Sequence, residues 1–359
     1  MTRRQEKIKV AVVGGTGYTG LELLRLLAHH PAVEVTRITS RHKAGKMFTS
    51  EFPSLQVYRG LRFSHPDPKD LAQAADVVFF ATPHKVAMDS VGELLDGGLK
   101  VIDLSADFRL QDIPTWERWY NAKHQAPQYL KEAVYGLVEM NRVKIKEARL
   151  IATPGCYVTA ITLALLPLLK MGLIKKEATI IADGKSGVSG AGRIPKTDLL
   201  FCEISDNFKP YAITGHRHLP EIQQNIAQFV PEAADKLIFV PHLIPITRGI
   251  EASVYVETEK TIYNLQEIYD DYYKGEPFVR VLKAGAIPET KNVRETNCCA
   301  IALHSQKDGK RHTLFAVIDN LIKGASGQAV QNMNVLYNIP ETVGLETCLL
   351  YTSDAADER

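Results

Sequence analysis

A single cysteine interrupts the stretch TPGCYVT, residues 153–159. Pro154 and Gly155 break the backbone just before it, and the apolar run YVTAITLALLPLL follows it. Cys156 therefore stands at the start of a helix, where backbone N–H groups and the positive end of the helix dipole favour a thiolate. Free cysteine is also a common core residue, so position alone leaves both nucleophile and packing residue open. A nucleophilic thiol needs a partner for proton transfer. Of the eleven histidines, His216 and His218 stand apart. The stretch GHRHLPEI packs them around Arg217 in a turn, just before a helix begun by Pro220. Spacing does not separate the two, and a plain polar turn has the same composition.

A second chemical signal lies near the start. Gly14, Gly17 and Gly20 form G-x-x-G-x-x-G directly after the strand-like run KIKVAVVG and open the helical pattern LELLRLLAHHP. In that context glycines let the backbone approach a pyrophosphate at a helix N-terminus. Thr16 and Tyr18 inside the motif, and Pro83 at the end of ADVVFFATP, are counted with it as cofactor contacts. The second strand, VEVTRITS, does not end in the Asp or Glu that holds the ribose of NAD. It ends in Ser40 and Arg41, with Lys43 and Lys46 close behind, which suits the 2′-phosphate of NADP.

These residues need two kinds of scaffold. Up to about residue 150, short apolar strands alternate with helical stretches, among them HKVAMDSVGELLDGG. That pattern implies an α/β fold, a Rossmann-type doubly wound parallel sheet. Beyond Cys156 come a helix, the strand EATIIAD, the loop GKSGVSGAGRIP and four longer strands. The strands are KLIFVPHLIP, GIEASVYVETE, NCCAIALHS and HTLFAVIDN, with helical stretches only near 219–229 and 263–273. Successive strands with few crossover helices imply an α+β domain with a mostly antiparallel or mixed sheet. The expected organisation is a dinucleotide-binding domain over 1–155, a catalytic and oligomerisation domain over 156–320, and a last amphipathic helix within 325–345 that returns to the first domain.

In order, GGTGYTG, DLSADFRL, YGLVEMNR, TPGCYVT, KSGVSGAGR, HRHLPEI, PHLIPITRGI and IDNLIKGASGQAVQNMN make the chain resemble N-acetyl-gamma-glutamyl-phosphate reductase from about residue 7 to 345. That family shares its superfold with aspartate-semialdehyde dehydrogenase. The resemblance implies Cys156 as nucleophile and His216 as acid/base residue, with His218 second. It implies NADPH as cofactor and reduction of N-acetyl-L-glutamyl 5-phosphate through a cysteine thioester. Hydride transfer then requires the nicotinamide beside the sulfur, between the two domains. Arg109, Lys185, Ser186, Arg193, Arg217 and His218 are the candidates for holding the substrate's phosphate and carboxylate. Reductases of carrier-protein-bound aminoadipyl or glutamyl phosphate share the motif set, and a catalytically inactive NADP-binding regulator is the reading from another class. The presence of Cys156 and His216 counts against the last.

The bulk composition excludes other classes. Among 359 residues the formal net charge is +2, and no block of like charge points to nucleic acid or an anionic membrane. No apolar stretch reaches the ~18 residues of a membrane span, and the basic start lacks a secretory apolar region. The five cysteines form no zinc-type spacing, and no metal site is expected. A sparse, odd set suits a reducing, cytoplasmic setting, and the resemblance implies a small-molecule enzyme that assembles as a homo-oligomer, dimer or tetramer. The end, CLLYTSDAADER at 348–359, departs from the family and reads as a translated adapter sequence, so Cys348 enters no chemical argument.

Overall fold

In a computed structural model the chain is described over residues 6–346 and forms two compact units. One takes the residues up to Pro154 together with Ala325–Glu346, and the other runs from Gly155 to Gly324. The tail at 348–359, with Cys348, lies outside the described residues.

The first unit is built on seven strands: β1 (Ile8–Val13), β2 (Val33–Thr39), β3 (Phe63–Ser64), β4 (Val77–Phe80), β5 (Lys100–Asp103), β6 (Val134–Tyr135) and β7 (Leu150–Ala152). Their order is β3-β2-β1-β4-β5-β7-β6, with every pairing parallel. The sequence of β4, VVFF, is buried throughout, as a strand covered on both faces must be. After β1 the helix α1 (Tyr18–Ala28) buries Leu23, Leu24, Leu26 and Leu27. Strand order reverses between β1 and β4, and sheets of this type bind ligands outside the carboxyl ends of the strands at such a switch point. The stretch expected as one helix, HKVAMDSVGELLDGG, divides into a 3₁₀ turn at Ala87–Asp89 and a short helix at Val91–Asp96.

The second unit carries β8 (Ile181–Gly187), β9 (Lys209–Pro210), β10 (Ile238–Ile244), β11 (Ile250–Glu257), β12 (Val279–Val281), β13 (Cys299–Ser305) and β14 (Arg311–Ile318). They form one mixed sheet in the order β12-β13-β14-β11-β8-β10-β9. The pairs β8–β10 and β12–β13 are parallel and the rest antiparallel. Three helices belong to this unit's core account: α2 (Cys156–Lys170), α3 (Leu219–Ala227) and α4 (Leu265–Tyr272). From Tyr157 to Leu169 every side chain of α2 is buried, so it is the unit's central helix. Pro167 inside α2 has no N–H to give the carbonyl of Leu163. The hydroxyl of Tyr273 donates to that carbonyl instead, and Tyr269 donates to the next one, Ala164.

The last helix, α5 (Gly327–Leu336), belongs to the first unit. It is not amphipathic, because all ten of its residues are buried. Three of its four polar side chains bond backbone carbonyls, and the fourth, Gln331, bonds the carboxylates of Glu139 and Glu341. Gln328 and Asn332 donate to the carbonyl of Gly136 at 3.0 and 2.9 Å, and Asn334 donates to that of Val343 at 2.8 Å. Polar residues at helical spacing therefore mark internal hydrogen bonds here rather than a solvated face.

Candidate active site

Cys156 is the first residue of α2, half-buried and outside any disulfide. Gly155 before it is extended (φ −67°, ψ 150°), and no acidic side chain lies in the first turn of the helix. The turn is fixed from both sides. The Gly155 N–H donates to Glu221 Oε1 at 2.9 Å, and the Gly155 carbonyl accepts from Thr159 N and Oγ1. Gly155 cannot be another residue without rearrangement, since a Cβ there would lie 2.5 Å from His218 Nε2. On the other side a Cβ at Gly324 would lie 2.8 Å from the Cβ of Cys156. The thiol thus sits in a slot with glycine backbone along two sides.

His218 precedes the first turn of α3 and lays its ring on Gly155. His216 is one ring further out, with centroids 4.7 Å apart. Its Nδ1 accepts the backbone N–H of His218 at 3.0 Å. Tyr157, Tyr211 and Phe239 meet the His216 ring edge-on at 5.9, 5.5 and 5.5 Å. That enclosure, helped by the charge of Arg217, pushes its pKa down to about 4. Burial also pushes the hydroxyls of Tyr157 and Tyr211 well above the ordinary tyrosine range. Tyr157 is tied down by a bond from its hydroxyl to the His242 carbonyl at 3.1 Å.

The substrate candidates have diverse surroundings. Residues 184–187 of the expected loop are the end of β8, and Val188–Ala191 is a 3₁₀ turn. Lys185 on β8 bridges Asp183 at 3.2 Å and Glu251 at 3.1 Å. Burial opposes its charge, but the two carboxylates outweigh it and hold the ammonium above its ordinary pKa. Its charge is therefore already balanced across the sheet. Ser186 is buried and donates to the Gly187 carbonyl at 3.0 Å. Arg193 and Arg217 are exposed. Arg109, in the first unit, is buried and donates to the carbonyls of Thr153 at 2.7 Å and Leu104 at 2.8 Å. It braces the strand end that leads into the cysteine turn.

Beside Arg109 lies a feature that sequence reading missed. Asp103 and Asp107 are both fully buried. Burial first, and then the charge of Asp107, pushes Asp103 up to about 7. Asp107 accepts the N–H groups of Lys85 at 2.7 Å and Met88 at 3.3 Å, and so holds the segment after Pro83. Glu221 and the aromatic wall of Tyr157, Tyr211 and Phe239 were also missed. Their signal in the sequence is weak, since a first-turn Glu and scattered aromatics occur in most helical and core segments.

The glycine motif has the shape of a dinucleotide cradle. Gly14 has φ +90°, and a Cβ there would meet the Ala81 carbonyl oxygen at 2.5 Å. Gly20 is as tightly placed against the backbone of Gly14. Gly17, which caps α1, has nothing within 4 Å of where its Cβ would be. No side chain caps this helix start and no acidic residue lies in its first turn. The cradle therefore accommodates a pyrophosphate. Thr16 and Tyr18 flank it, and Pro83 is exposed after β4. Past β2, Lys43 and Lys46 are engaged by Glu51 at 2.8 and 3.8 Å, while Arg41 is exposed. Ser40 follows β2 directly, its N–H bonded to the Ser64 carbonyl at 3.0 Å.

Over residues 9–148 the chain matches the family model described as semialdehyde dehydrogenase, NAD binding domain. Over residues 156–320 it matches semialdehyde dehydrogenase, dimerisation domain. The N-acetyl-gamma-glutamyl-phosphate reductases of Nitrosococcus oceani and Pseudomonas entomophila are 54% and 56% identical to it, each match covering 94% of this chain and 98% of the relative. Among solved structures, aspartate semialdehyde dehydrogenase II of Vibrio cholerae, complexed with ASA, has a TM-score of 0.71 at 17% identity, over 93% of this chain and 99% of that one. Aspartate semialdehyde dehydrogenase with NADP from Candida albicans has a TM-score of 0.68 at 16% identity, over 92% and 99%. Both share the fold.

Proposed function

The chain belongs to the N-acetyl-gamma-glutamyl-phosphate reductase family, and we propose that it reduces N-acetyl-L-glutamyl 5-phosphate to N-acetyl-L-glutamate 5-semialdehyde and phosphate, using NADPH and a thioester on Cys156. The observation that carries this reading is the cysteine slot: a thiol at the uncapped start of α2 with the His218 ring against the residue before it. Similarity to the carrier-dependent reductases is not favoured by any feature of the slot.

The steps follow from these groups. His218 takes the thiol proton, because its ring lies on Gly155. The thiolate attacks the acyl carbon, a C–S bond forms, and the C–O bond to phosphate breaks with its electron pair leaving on phosphate. Splitting one displacement into two in this way lowers each barrier. The nicotinamide, when bound, supplies the hydride that reduces the thioester carbon. The thiohemiacetal oxyanion on Cys156 then collapses, the C–S bond breaks, and the thiolate is regenerated with the aldehyde. One proton is consumed per turnover and leaves on the phosphate. Arg109, Arg193 and Arg217 remain the candidates for the substrate's anionic groups; Lys185 is the weakest, with two carboxylates already on it. The test is the reverse assay: N-acetylglutamate semialdehyde, phosphate and NADP should yield NADPH, and its absence would refute the activity.

For the cofactor, Gly14, Gly17 and Gly20 would hold the pyrophosphate, and Ser40 and Arg41 the 2′-phosphate. Arg41→Ala should weaken NADPH binding by about ten- to a hundred-fold and NADH binding little, since one charge-assisted contact is worth roughly 1.5–3 kcal/mol. Equal losses for both cofactors would place Arg41 elsewhere.

Homo-oligomerisation has a candidate surface. One face of the second sheet carries α2, while on the other Ile238, Ile181 and Tyr255 line up in register and are 48%, 38% and 44% exposed. An apolar row of this kind on a domain of the dimerisation type suits a second copy. Ile181→Arg should shift the protein to a smaller species in sedimentation, and an unchanged species would put the interface on another face. A reducing compartment such as the cytoplasm suits a reaction that needs Cys156 as a thiolate.

A further inference from the structure

Resting on the reading of the glycine turn as a dinucleotide cradle, we infer that Asp107 is a positioning residue for the cofactor. Its buried carboxylate holds Lys85 in a left-handed backbone conformation, and that conformation keeps the segment from Ala81 to Lys85 in place as a wall of the cradle.

The segment starts at the cradle. A Cβ at Gly14 would lie 2.5 Å from the Ala81 carbonyl oxygen and 3.0 Å from Thr82 Cγ2, so both residues stand directly against the first glycine of the motif. Ala81 is fixed there by its N–H, which donates to the Val13 carbonyl at 2.8 Å where the pairing of β1 with β4 ends. Four residues after Ala81 comes Lys85, with a φ of +76°. That region is crowded for any residue with a Cβ, and lysine lacks the short polar side chain with which Asn and Asp ease it. A residue so placed persists only where its surroundings over-determine it, and such residues cluster at functional sites.

Asp107 supplies the determination. Fully buried, it accepts the Lys85 N–H at Oδ1, 2.7 Å away, and the Met88 N–H at Oδ2, 3.3 Å away. Asp107 is itself held by the His124 ring, whose Nε2 bonds the Asp107 carbonyl at 2.7 Å, and by its own N–H, which donates to Ser105 Oγ at 3.3 Å. A second tie joins the same two stretches: the Ala106 N–H donates to His84 Nδ1 at 3.2 Å. The other buried carboxylate, Asp103, bonds the N–H and Oγ of Ser105 at 2.8 and 2.9 Å, so the two acids have separate tasks. Pro83 and Lys85 are exposed, whereas Ala87 and Met88 are buried in the core. The exposed span is therefore anchored by the sheet at one end and by Asp107 at the other. It is the backbone of Lys85 that is used, since its side chain reaches only the Asn121 carbonyl at 3.5 Å, on the surface.

The experiment separates backbone from charge. Lys85→Gly and Lys85→Val both remove the ammonium, and neither empties the core. Glycine takes a positive φ freely, while β-branched valine opposes it. In titrations followed by NADPH fluorescence, Lys85→Val should bind about ten-fold more weakly than Lys85→Gly. Asp107→Asn keeps the shape but turns one acceptor into a donor facing an N–H, and it should lose about ten-fold or more. Adding Lys85→Gly to Asp107→Asn should recover most of that loss, because glycine needs no clamp. KM for the acyl phosphate should hold in each variant while KM for NADPH rises. Without cofactor, hydrogen exchange at the Lys85 amide should be slow in the wild-type protein and fast in Asp107→Asn. Equal affinities in Lys85→Gly and Lys85→Val would overturn the inference, and so would a loss in Asp107→Asn that glycine does not recover. The Lys85 pair leaves Asp107 untouched, so it decides the matter even where Asp107→Asn does not fold. Failure of the cradle reading would appear separately, as a wild-type protein that binds neither NADPH nor NADH.

Discussion

Replacing Cys156 by alanine is expected to lower turnover by at least about 10³-fold, with NADPH binding and the fold retained. The fold should survive because alanine keeps the Cβ that rests against Gly324, and the turn is held by the Gly155 bonds to Glu221 and Thr159 rather than by sulfur. The loss should be large because, among the described residues, no other cysteine stands at the turn that opens α2. Cys299 is buried in β13, and Cys202 is exposed on a short helix at Phe201–Ile204. Cys156→Ser is the sharper variant. A serine hydroxyl ionises far less than a thiol, and an ester accepts hydride less readily than a thioester. Near-normal activity in Cys156→Ser would refute thioester catalysis. The same chemistry can be read without turnover. At neutral pH iodoacetamide should label half-buried Cys156 faster than exposed Cys202, because reactivity follows the thiolate fraction. Labelling governed by exposure alone would make Cys156 an ordinary thiol.

In the reverse assay, N-acetylglutamate semialdehyde should be preferred over aspartate semialdehyde by a factor that can approach about 10⁴. A site that hydrogen-bonds the acetamide and α-carboxylate leaves buried polar groups unpaired when a smaller aldehyde enters, and such groups discriminate far better than an apolar pocket does. The solved aspartate semialdehyde dehydrogenases share the fold at 17% identity, so the scaffold does not decide this preference. Side chains of the slot must. Preference for aspartate semialdehyde would move the chain's activity to that neighbouring enzyme. Activity only on a carrier-bound aldehyde would favour the carrier-dependent alternative.

Much of the fold is legible because its signals are local. A β-branched run, a glycine turn and an apolar helical pattern lie within about twenty residues, and together they specify β1, the cradle and α1. Pro154 and Gly155 likewise place Cys156 at a helix start, since the residues that break the strand and open the helix are its immediate neighbours. The stretch KSGVSGAGR misled for the opposite reason. Its glycines and serines have turn composition, yet residues 184–187 extend β8, because β10 and β11 pair with it on both sides. The helix α5 reads as amphipathic, but its amides find backbone partners at Gly136 and Val343, far away in sequence or beyond its end.

The sequence by itself determined the reactive residue types, their order and the two scaffolds that carry them. Tertiary structure decided how those residues divide the work. His216 and His218 are two positions apart in one turn, and no local rule distinguishes them. They differ because Gly155, some sixty residues earlier, leaves room for one ring, while Tyr157 and Phe239 close around the other. Lys185 looks like a free cation in the sequence until Glu251 arrives across the sheet to neutralise it. Burial and pairing set the charge and tautomer of each group, and both depend on neighbours that only folding brings together.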